Sequence, residues 1–416
     1  MADTNTIRHL RDPWSILGRI KHPLSKLRRL ARKAISVLRS QYKTIAIDPP
    51  IIGYIAGASG KMQKRALITY VACPLYQSPD DLKRAAHSNF SQSVEIARAF
   101  NRLGYIVDVV DLRDHVFIPS VHYDVLFGMD YNFERLASYL DKKTKKIYYG
   151  TGADWAYENA AEQARSEMLI ARRGIQLSPR HLKEHKWAEL ADSVIVIGNQ
   201  VTLDTYQQRN PRLYVIDNSV LSKISLPDLD HKDFGLARQN FLWMGNTGLL
   251  RRGLDMVLDA FVHLHDVNLW VCGPLEREAE SAFVRAYRHE LFHVPNIHPL
   301  GWIDVYSKTF QELTDMCAFV IYASCTEGMS GSVLNCMARG LIPLISRDVG
   351  IDTDGIGVTF AQDSVDVIQQ VVRDMVALSP DVLRRIAQEV YWQACTRYSL
   401  ESFSQNIERI LRAILG

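Results

Sequence analysis

Cys325-Thr-Glu-Gly-Met-Ser-Gly-Ser-Val-Leu-Asn-Cys-Met-Ala-Arg-Gly-Leu-Ile-Pro-Leu-Ile-Ser346 decides how the chain is read. An apolar run, Phe319-Val-Ile-Tyr322, leads into it, and the loop that follows opens on an acid, Glu327, and is rich in Gly and Ser. An apolar segment then begins, Gly340 stops it, and a second apolar run, Leu341 to Ile345, follows. Short apolar runs bounded by turn signals read as strands buried on both faces. The order strand, small-residue loop, helix, strand is the repeat of an α/β sheet, and a helix start after such a loop can hold a diphosphate. Glu327 stands at its mouth.

The same rhythm runs outward in both directions. Upstream, Ala66–Cys73, Tyr105–Val110, Val125–Gly128, Lys146–Gly150, Ser193–Gly198 and Leu213–Ile216 read as strands, with a helix from Phe90 to Leu103 that Gly104 ends. After a polar stretch, 226–239, the pattern restarts with strands at Phe241–Gly245, Val267–Gly273 and Ile297–Gly301 and helices at Gly253–Leu264 and Glu276–Leu291. Ser364–Ala377, Pro380–Arg397 and Leu400–Leu415 read as closing helices. A chain of 416 residues is long for one core. The expected organisation is an arm and linker over 1–63, a Rossmann-like domain over 64–225, a connection over 226–239, a second Rossmann-like domain over 240–397 and a terminal helix over 398–416 that returns to the first domain. Paired doubly wound sheets bind ligands beyond the carboxyl ends of their strands, in the cleft between them.

Charge is unevenly spread. Between Arg8 and Lys43 there are eleven Lys or Arg and one acid, Asp12, so that segment carries +10 and the remainder −7 of a total of +3. Pro23 is placed to start a helix there, with Leu24, Leu27, Ala31, Ala34 and Leu38 on one face. Such a basic amphipathic helix suits an anionic lipid surface, and equally suits docking on the acidic body. The six cysteines have neither CxxC nor His-rich spacing, so reduced core thiols are expected, without a disulfide frame or a zinc site. No apolar run approaches the ~20 residues that span a bilayer, and no uninterrupted secretory core stands at the amino end. A cytoplasmic protein, peripheral on the inner face of the membrane through residues 8–43, is the expectation, with no nucleic acid as partner.

Several phosphate motifs are weighed. Gly57-Ala-Ser-Gly-Lys61 lacks the first Gly of a P-loop, and Met62 replaces the hydroxyl that Mg²⁺ needs. No GxGxxG follows a strand, which argues against a dehydrogenase. Gly245-Asn-Thr-Gly-Leu-Leu-Arg-Arg-Gly253 is the better candidate: it joins a strand to a helix, and Arg251 or Arg252 can grip phosphate oxygens, although a solvated Arg-Arg turn has the same appearance. The amides around Gly331 and Ser332 offer a second device. Glu327, an anion, suits sugar hydroxyls beside the phosphate rather than the phosphate itself. Asp228-Leu-Asp230 and Asp352-Thr-Asp354 match a DxD pattern too short to mean more than loop acids.

With Gly245, Arg252-Gly253-Leu-Asp255, Glu327-Gly328 and Ala338-Arg-Gly-Leu-Ile-Pro343 in place, the second half resembles the carboxyl-terminal domain of glycosyltransferase family 4, retaining nucleotide-sugar enzymes of GT-B fold. The similarity runs through Pro295-Asn-Ile-His-Pro-Leu-Gly-Trp-Ile303 to Tyr398-Ser-Leu-Glu-Ser-Phe403, and more loosely through Phe90–Val110, Ala191–Gly198 and Val215–Val220. The resemblance implies that Glu327 is the first acid of a Glu-x7-Glu motif and contacts the donor sugar. Arg252 stands where a Lys usually grips the leaving diphosphate. Gly331 and Ser332 give amides to it, and Gly245, Arg251, Gly273, Ile303, Gly328, Met329 and Ser330 complete the donor site. Asn335 stands where the second Glu is expected against the ribose, and Asn246 where an Arg is common; both are departures. On the acceptor side the usual His is missing from Tyr148–Trp155, leaving Asp154, His87 and Asn89 as candidates.

The resulting expectation is a transferase moving a sugar with retention from a nucleotide sugar to a glycan or lipid-linked acceptor, in polysaccharide or glycolipid biosynthesis, with no cofactor and no metal. Asn335 and Asn246 motivate an alternative, a non-catalytic scaffold of the same fold that partners an active transferase. A sugar-nucleotide isomerase or hydrolase is a third reading.

Overall fold

A computed structural model describes residues 47–56, 64–77, 87–222 and 224–416. The basic segment and Gly57–Lys61 lie outside the described residues. Contacts divide the chain into two units, Met1–Asp48 and Pro49–Gly416, and both sheets belong to the second.

Two parallel sheets carry the fold. The first holds β1 (Ile51–Tyr54), β2 (Lys64–Tyr70), β3 (Tyr105–Asp111), β4 (Val125–Gly128), β5 (Lys145–Gly150), β6 (Ser193–Ile197) and β7 (Leu213–Ile216), in the spatial order β1-β3-β2-β4-β5-β6-β7. The second holds β8 (Asn240–Met244), β9 (Asn268–Cys272), β10 (Ile297–Gly301), β11 (Phe319–Tyr322), β12 (Ile342–Ile345) and β13 (Val358–Thr359), in the order β10-β9-β8-β11-β12-β13. Every pairing is parallel except β1 with β3. Strands β4, β6, β11 and β12 are buried at every residue. Their unbroken apolar runs follow from having cover on both faces.

Strand order reverses between β2 and β4 in the first sheet and between β8 and β11 in the second. At such switch points the crossing connections leave in opposite directions and open a crevice at the carboxyl ends. Tyr70 and Met129 stand at the first crevice, and Gly245 and Glu327 follow the strands that flank the second. All four line one cavity.

Three of the departures from the expected elements shape the way the halves are built. Ile51–Tyr54, read as linker, is an edge strand, with Ile51 opposite Val109 and Tyr54 opposite Val107. The helix expected over Glu276–Leu291 is broken into a 3₁₀ turn at Glu278–Glu280 and short helices at Ser281–Ala286 and Arg288–His293. The break at Tyr287 seats its buried ring against Phe283, with centroids 4.8 Å apart, and under the Arg173 guanidinium. A 19-residue helix, Trp155–Arg173, has no counterpart among the expected elements. Asp154 caps its first turn by accepting from the Ala156 N–H, and Gly174, at φ 65°, closes its end in the left-handed conformation a helix terminus favours.

That helix joins the two halves. Arg165, 1% exposed, donates to Asp255 at 3.3 Å, Asp363 at 2.8 Å and the Ala323 carbonyl at 2.9 Å. Arg172 holds Asp255 and Asp259, and Arg173 holds Asp259 and Glu290. The Leu400–Leu415 helix packs on the Ser88–Arg102 helix of the first half, with Arg102 Nε 2.5 Å from Glu408.

In the connecting segment, Lys232 is buried against the second half and donates to the Thr314 and Cys317 carbonyls at 2.8 and 2.6 Å. Burial pushes its amine down from 10.5 to about 8. A lysine depressed in the native state gives up its proton there while the unfolded chain still holds it. Stability of the wild type relative to Lys232→Met is therefore expected to rise between about pH 8 and pH 10, by at most about 1.4 kcal/mol per pH unit. Urea unfolding of both proteins at pH 7.5, 8.5 and 9.5 (about one unit apart) checks it, and a flat difference would refute it.

Candidate active site

A cavity of about 420 Å³ lies where the carboxyl ends of the two sheets face each other. From the first sheet it is lined by Tyr70, Leu112, Met129, Thr151, Ile197 and Asn218, which end or follow β2 to β7 in turn. From the second come Met244 and Gly245 at the end of β8, Cys272 and Gly273 at the end of β9, Trp302 to Val305 after β10, and Glu327 with Met329–Ser332 after β11.

Gly245 and Gly273 are explained by one neighbour. The Trp243 indole lies beneath them, and a Cβ would fall 2.5 Å from that ring at Gly245 and 3.0 Å at Gly273. The backbone of β8 and β9 thus reaches the cavity with no side chain in the way. At Gly253 the close approach is to backbone: with φ 73°, an added Cβ would meet the Ala323 carbonyl oxygen at 2.0 Å. This seats the start of the Leu254–Phe261 helix directly on the end of β11 and fixes Arg252, the residue before it.

Arg252 is the centre of the site. Its Nε donates to the Thr247 carbonyl at 3.0 Å, and its Nη1 donates to the Tyr322 hydroxyl at 2.6 Å and pairs closely with Glu327 Oε1. Its side chain is 15% exposed and that of Glu327 13%. Desolvation works against the charged guanidinium, but Glu327, Tyr322 and Glu280 outweigh it and hold the Arg252 pKa above its ordinary value. Glu280, which sequence reasoning missed, accepts the Gly248 and Leu249 N–H groups at 2.5 and 3.2 Å and so shapes the turn that presents Arg252. Tyr322 was also missed, because a phenol inside an apolar strand carries no polar signal.

The loop after β11 offers unpaired groups. Ser330, 2% exposed, stands at the N-cap of the Gly331–Met337 helix without capping it, and its hydroxyl has no partner among the described residues. The first amides of a helix have no intrahelical acceptor. Hydroxyl, Gly331 and Ser332 therefore converge on the cavity that Arg252 and Glu327 also line.

Of the other expected site residues, Ile303 and Met329 line the cavity, as do Asn246 and Asn335. Asn335 accepts from the Leu221 N–H at 3.1 Å, which occupies its oxygen, and Asn246 turns its oxygen to the Thr247 N–H at 2.9 Å. His87 and Asn89 line the opposite wall. The His87 Nδ1 accepts from the Asn89 N–H. Desolvation lowers the His87 pKa, a side-chain hydrogen bond to Asn89 opposes that, and the Arg252 charge adds to the lowering.

Three expectations are corrected. Arg251 points away from the cavity, to Glu162 at 3.5 Å and the Thr326 carbonyl at 3.3 Å, drawn by the buried acid on the Trp155–Arg173 helix. Gly328 packs against the first half: its carbonyl accepts from Thr202 at 3.1 Å, and a Cβ would fall 2.6 Å from the Thr151 oxygen. Asp154 is a helix cap held by Arg209 Nε and Nη2, at 3.2 and 3.1 Å, and is not among the residues that line the cavity.

Comparison with known proteins bears on these two halves. Residues 238–377, about a third of the chain, match the family model described as Glycosyl transferases group 1. Among solved structures, sucrose-phosphate synthase from Thermosynechococcus elongatus superposes with a TM-score of 0.59 at 13% identity, covering 85% of this chain and 99% of that one. Anabaena HepE, in complex with UDP and glucose, gives 0.54 at 12% identity, over 84% of this chain and all of the other.

The fold is GT-B.

WaaG, a glycosyltransferase involved in lipopolysaccharide biosynthesis, shares it at a TM-score of 0.50 and 14% identity, over 84% of this chain and 99% of its own. No curated protein sequence matches the chain. In GT-B terms, the first sheet is the amino-terminal lobe, the second the carboxyl-terminal lobe, and the cavity lies in the cleft between them. No helix among the described residues is long and apolar enough to cross a membrane.

Proposed function

We propose that the protein transfers a sugar, with retention, from a nucleoside-diphosphate sugar to a glycan or lipid-linked acceptor. The observation that carries this reading is the meeting of Arg252, Glu327 and the unpartnered Ser330 hydroxyl in one cavity at both switch points. A diphosphate needs a cation and free donors, and a sugar needs an acceptor of hydroxyl hydrogen bonds; the cavity has both within one loop's reach. The group 1 glycosyl transferase match to the lobe that bears these residues supports it, as does the UDP bound in HepE.

In this reading Arg252 exchanges its Glu327 partner for the diphosphate, which frees Glu327 to accept from sugar hydroxyls. The bond from the anomeric carbon to the phosphate oxygen breaks, and the acceptor oxygen bonds that carbon from the same face. The departing phosphate oxygen takes the acceptor's proton, so no protein nucleophile is consumed. Charge growing on the leaving group is met by Arg252 and the Gly331–Ser332 amides. The basic segment 8–43 would bring the enzyme to an anionic membrane surface when the acceptor is lipid-linked, a part of the proposal outside the described residues.

The scaffold reading draws on Asn335 and Asn246, since neither supplies the charge of the residue it replaces. Calorimetry with UDP-, GDP- and ADP-sugars separates the two. Binding of one donor is expected, with a dissociation constant of about 1 μM to 1 mM, followed by mass-identified product when acceptors are screened with that donor. Silence toward every nucleotide sugar would overturn the transferase reading in favour of the scaffold.

A further inference from the structure

Asn218 follows β7 and lies in the cavity wall, 9% exposed. Its carboxamide is used on both sides. Oδ1 accepts from Ser88 Oγ at 3.0 Å, Gln92 Nε2 at 2.7 Å and the Ser219 N–H at 2.8 Å. Nδ2 donates to the Met329 carbonyl at 2.8 Å, and the Asn218 backbone N–H approaches Met329 Sδ at 3.2 Å. Three residues on, the Leu221 N–H donates to Asn335 Oδ1. Both ends of the stretch 329–335 are thereby fastened to one short run of backbone, and that run is fastened to the first turns of the Ser88–Arg102 helix.

A group without a partner stands on either side of this clasp. Ser330 Oγ on the carboxyl-terminal lobe and Asn89 Oδ1 on the amino-terminal lobe are both buried and unpaired among the described residues. Asn89 belongs to the same first turn as Ser88, and Ser330 is the next residue after Met329. Each of these two unpaired groups is thus one residue from an Asn218 contact.

We propose that Asn218 is a positioning residue that couples the two walls of the cavity, so that a nucleotide held by 329–332 also orders the turn at 88–92, and an acceptor at 88–92 tightens the nucleotide in return. Reciprocity is required of any such coupling in binding. The position demands one side chain with an acceptor and a donor. An aspartate keeps the acceptor for Ser88 and Gln92 but loses the bond to Met329 and turns a carboxylate toward its carbonyl. An aliphatic residue leaves a buried hydroxyl and a buried carbonyl unpaired, and the Gln92 amide with Ser219 Oγ alone. The choice of nucleotide as ligand rests on the proposed transferase function; the clasp itself does not.

Hydrogen–deuterium exchange on the full chain, with and without UDP, tests it. In the wild type UDP is expected to slow exchange at both 329–335 and 88–92. In Asn218→Asp, exchange at 329–335 without UDP rises by about tenfold, the order expected for one lost buried hydrogen bond, and UDP slows 329–335 alone. Gln92→Ala removes a contact on the helix side only. It should leave 329–335 unchanged without UDP and abolish the response of 88–92 to UDP, and it serves if Asn218→Asp does not fold. A role confined to stability would raise exchange in both segments and leave their joint response to UDP intact, which would overturn the proposal, as would unchanged exchange at 329–335 in Asn218→Asp. If UDP alters nothing in the wild type, the nucleotide reading fails, and the comparison without UDP still decides whether the clasp exists.

Discussion

Arg252→Ala is expected to slow sugar transfer from a confirmed donor by about 10²- to 10³-fold, the loss typical of removing one preorganised group that stabilises developing negative charge. The effect has two parts. The leaving diphosphate loses its cation, and Glu327 loses the partner that neutralises it, so a bare carboxylate remains beside the phosphate position. The double variant Arg252→Ala/Glu327→Gln is therefore expected to bind UDP more tightly than Arg252→Ala alone, although it transfers no faster. A cycle of the two single variants and the double measures that coupling. Arg252→Lys should retain part of the activity, because a point charge remains while the bonds to Thr247 and Tyr322 are disturbed. A fall in turnover of less than about fivefold, worth ~1 kcal/mol, would remove Arg252 from the leaving-group role.

Asp255→Ala is expected to cost about 3 kcal/mol of stability, the low end of the usual penalty for removing one partner of a buried charge pair, since Arg165 keeps Asp363 and Arg172 keeps Asp259. Asp255 is fully buried and accepts from Arg165 at 3.3 Å and Arg172 at 2.7 Å. Arg165 is itself 1% exposed, so the guanidinium left behind has no water to turn to and keeps only Asp363 and the Ala323 carbonyl as partners. Replacing both members, as Asp255→Leu with Arg165→Met, should recover most of the loss, since a buried pair is worth little against an apolar filling of similar volume. Urea midpoints and slopes for the three variants give the comparison. A loss below about 1 kcal/mol in Asp255→Ala would mean that Asp363 or water replaces Asp255 as the partner of Arg165.

The parallel strands are legible in the sequence because both faces are covered, so β6 and β11 are unbroken apolar runs. Arg252 and Glu327 are legible because each sits in a short loop between a strand and a helix, where spacing alone sets position. The Trp155–Arg173 helix is not. Its buried face carries Glu158, Glu162, Arg165 and Ser166, with Leu169 the one aliphatic side chain, so the usual apolar stripe is absent. The signals that do survive are local, the cap at Asp154 and the stop at Gly174. Asp154 reads instead as an acceptor-site candidate because its partner, Arg209, lies 55 residues away. Arg251 and Arg252 are adjacent and chemically identical, and only the distant Glu162 decides that Arg251 faces away. The edge strand β1 and the Asn218 clasp escape the sequence for the same reason: their meaning lies in partners 55 to 130 residues off.

The closing helix, Leu400–Leu415, has a bearing on how the chain is made. Its seat is the Ser88–Arg102 helix, and the ties between them, Arg102 to Glu408 and Ser404 to Glu95, join residues more than 300 positions apart. At a synthesis rate of about 5–20 residues per second, the flank of the first lobe emerges roughly 15–60 s before the piece that covers it exists. Until then the lobe is an unfinished surface on the ribosome, and the second lobe must fold beside it. The gene order thus nests one folding unit inside another, so a truncation late in translation would injure the part of the protein that was made first.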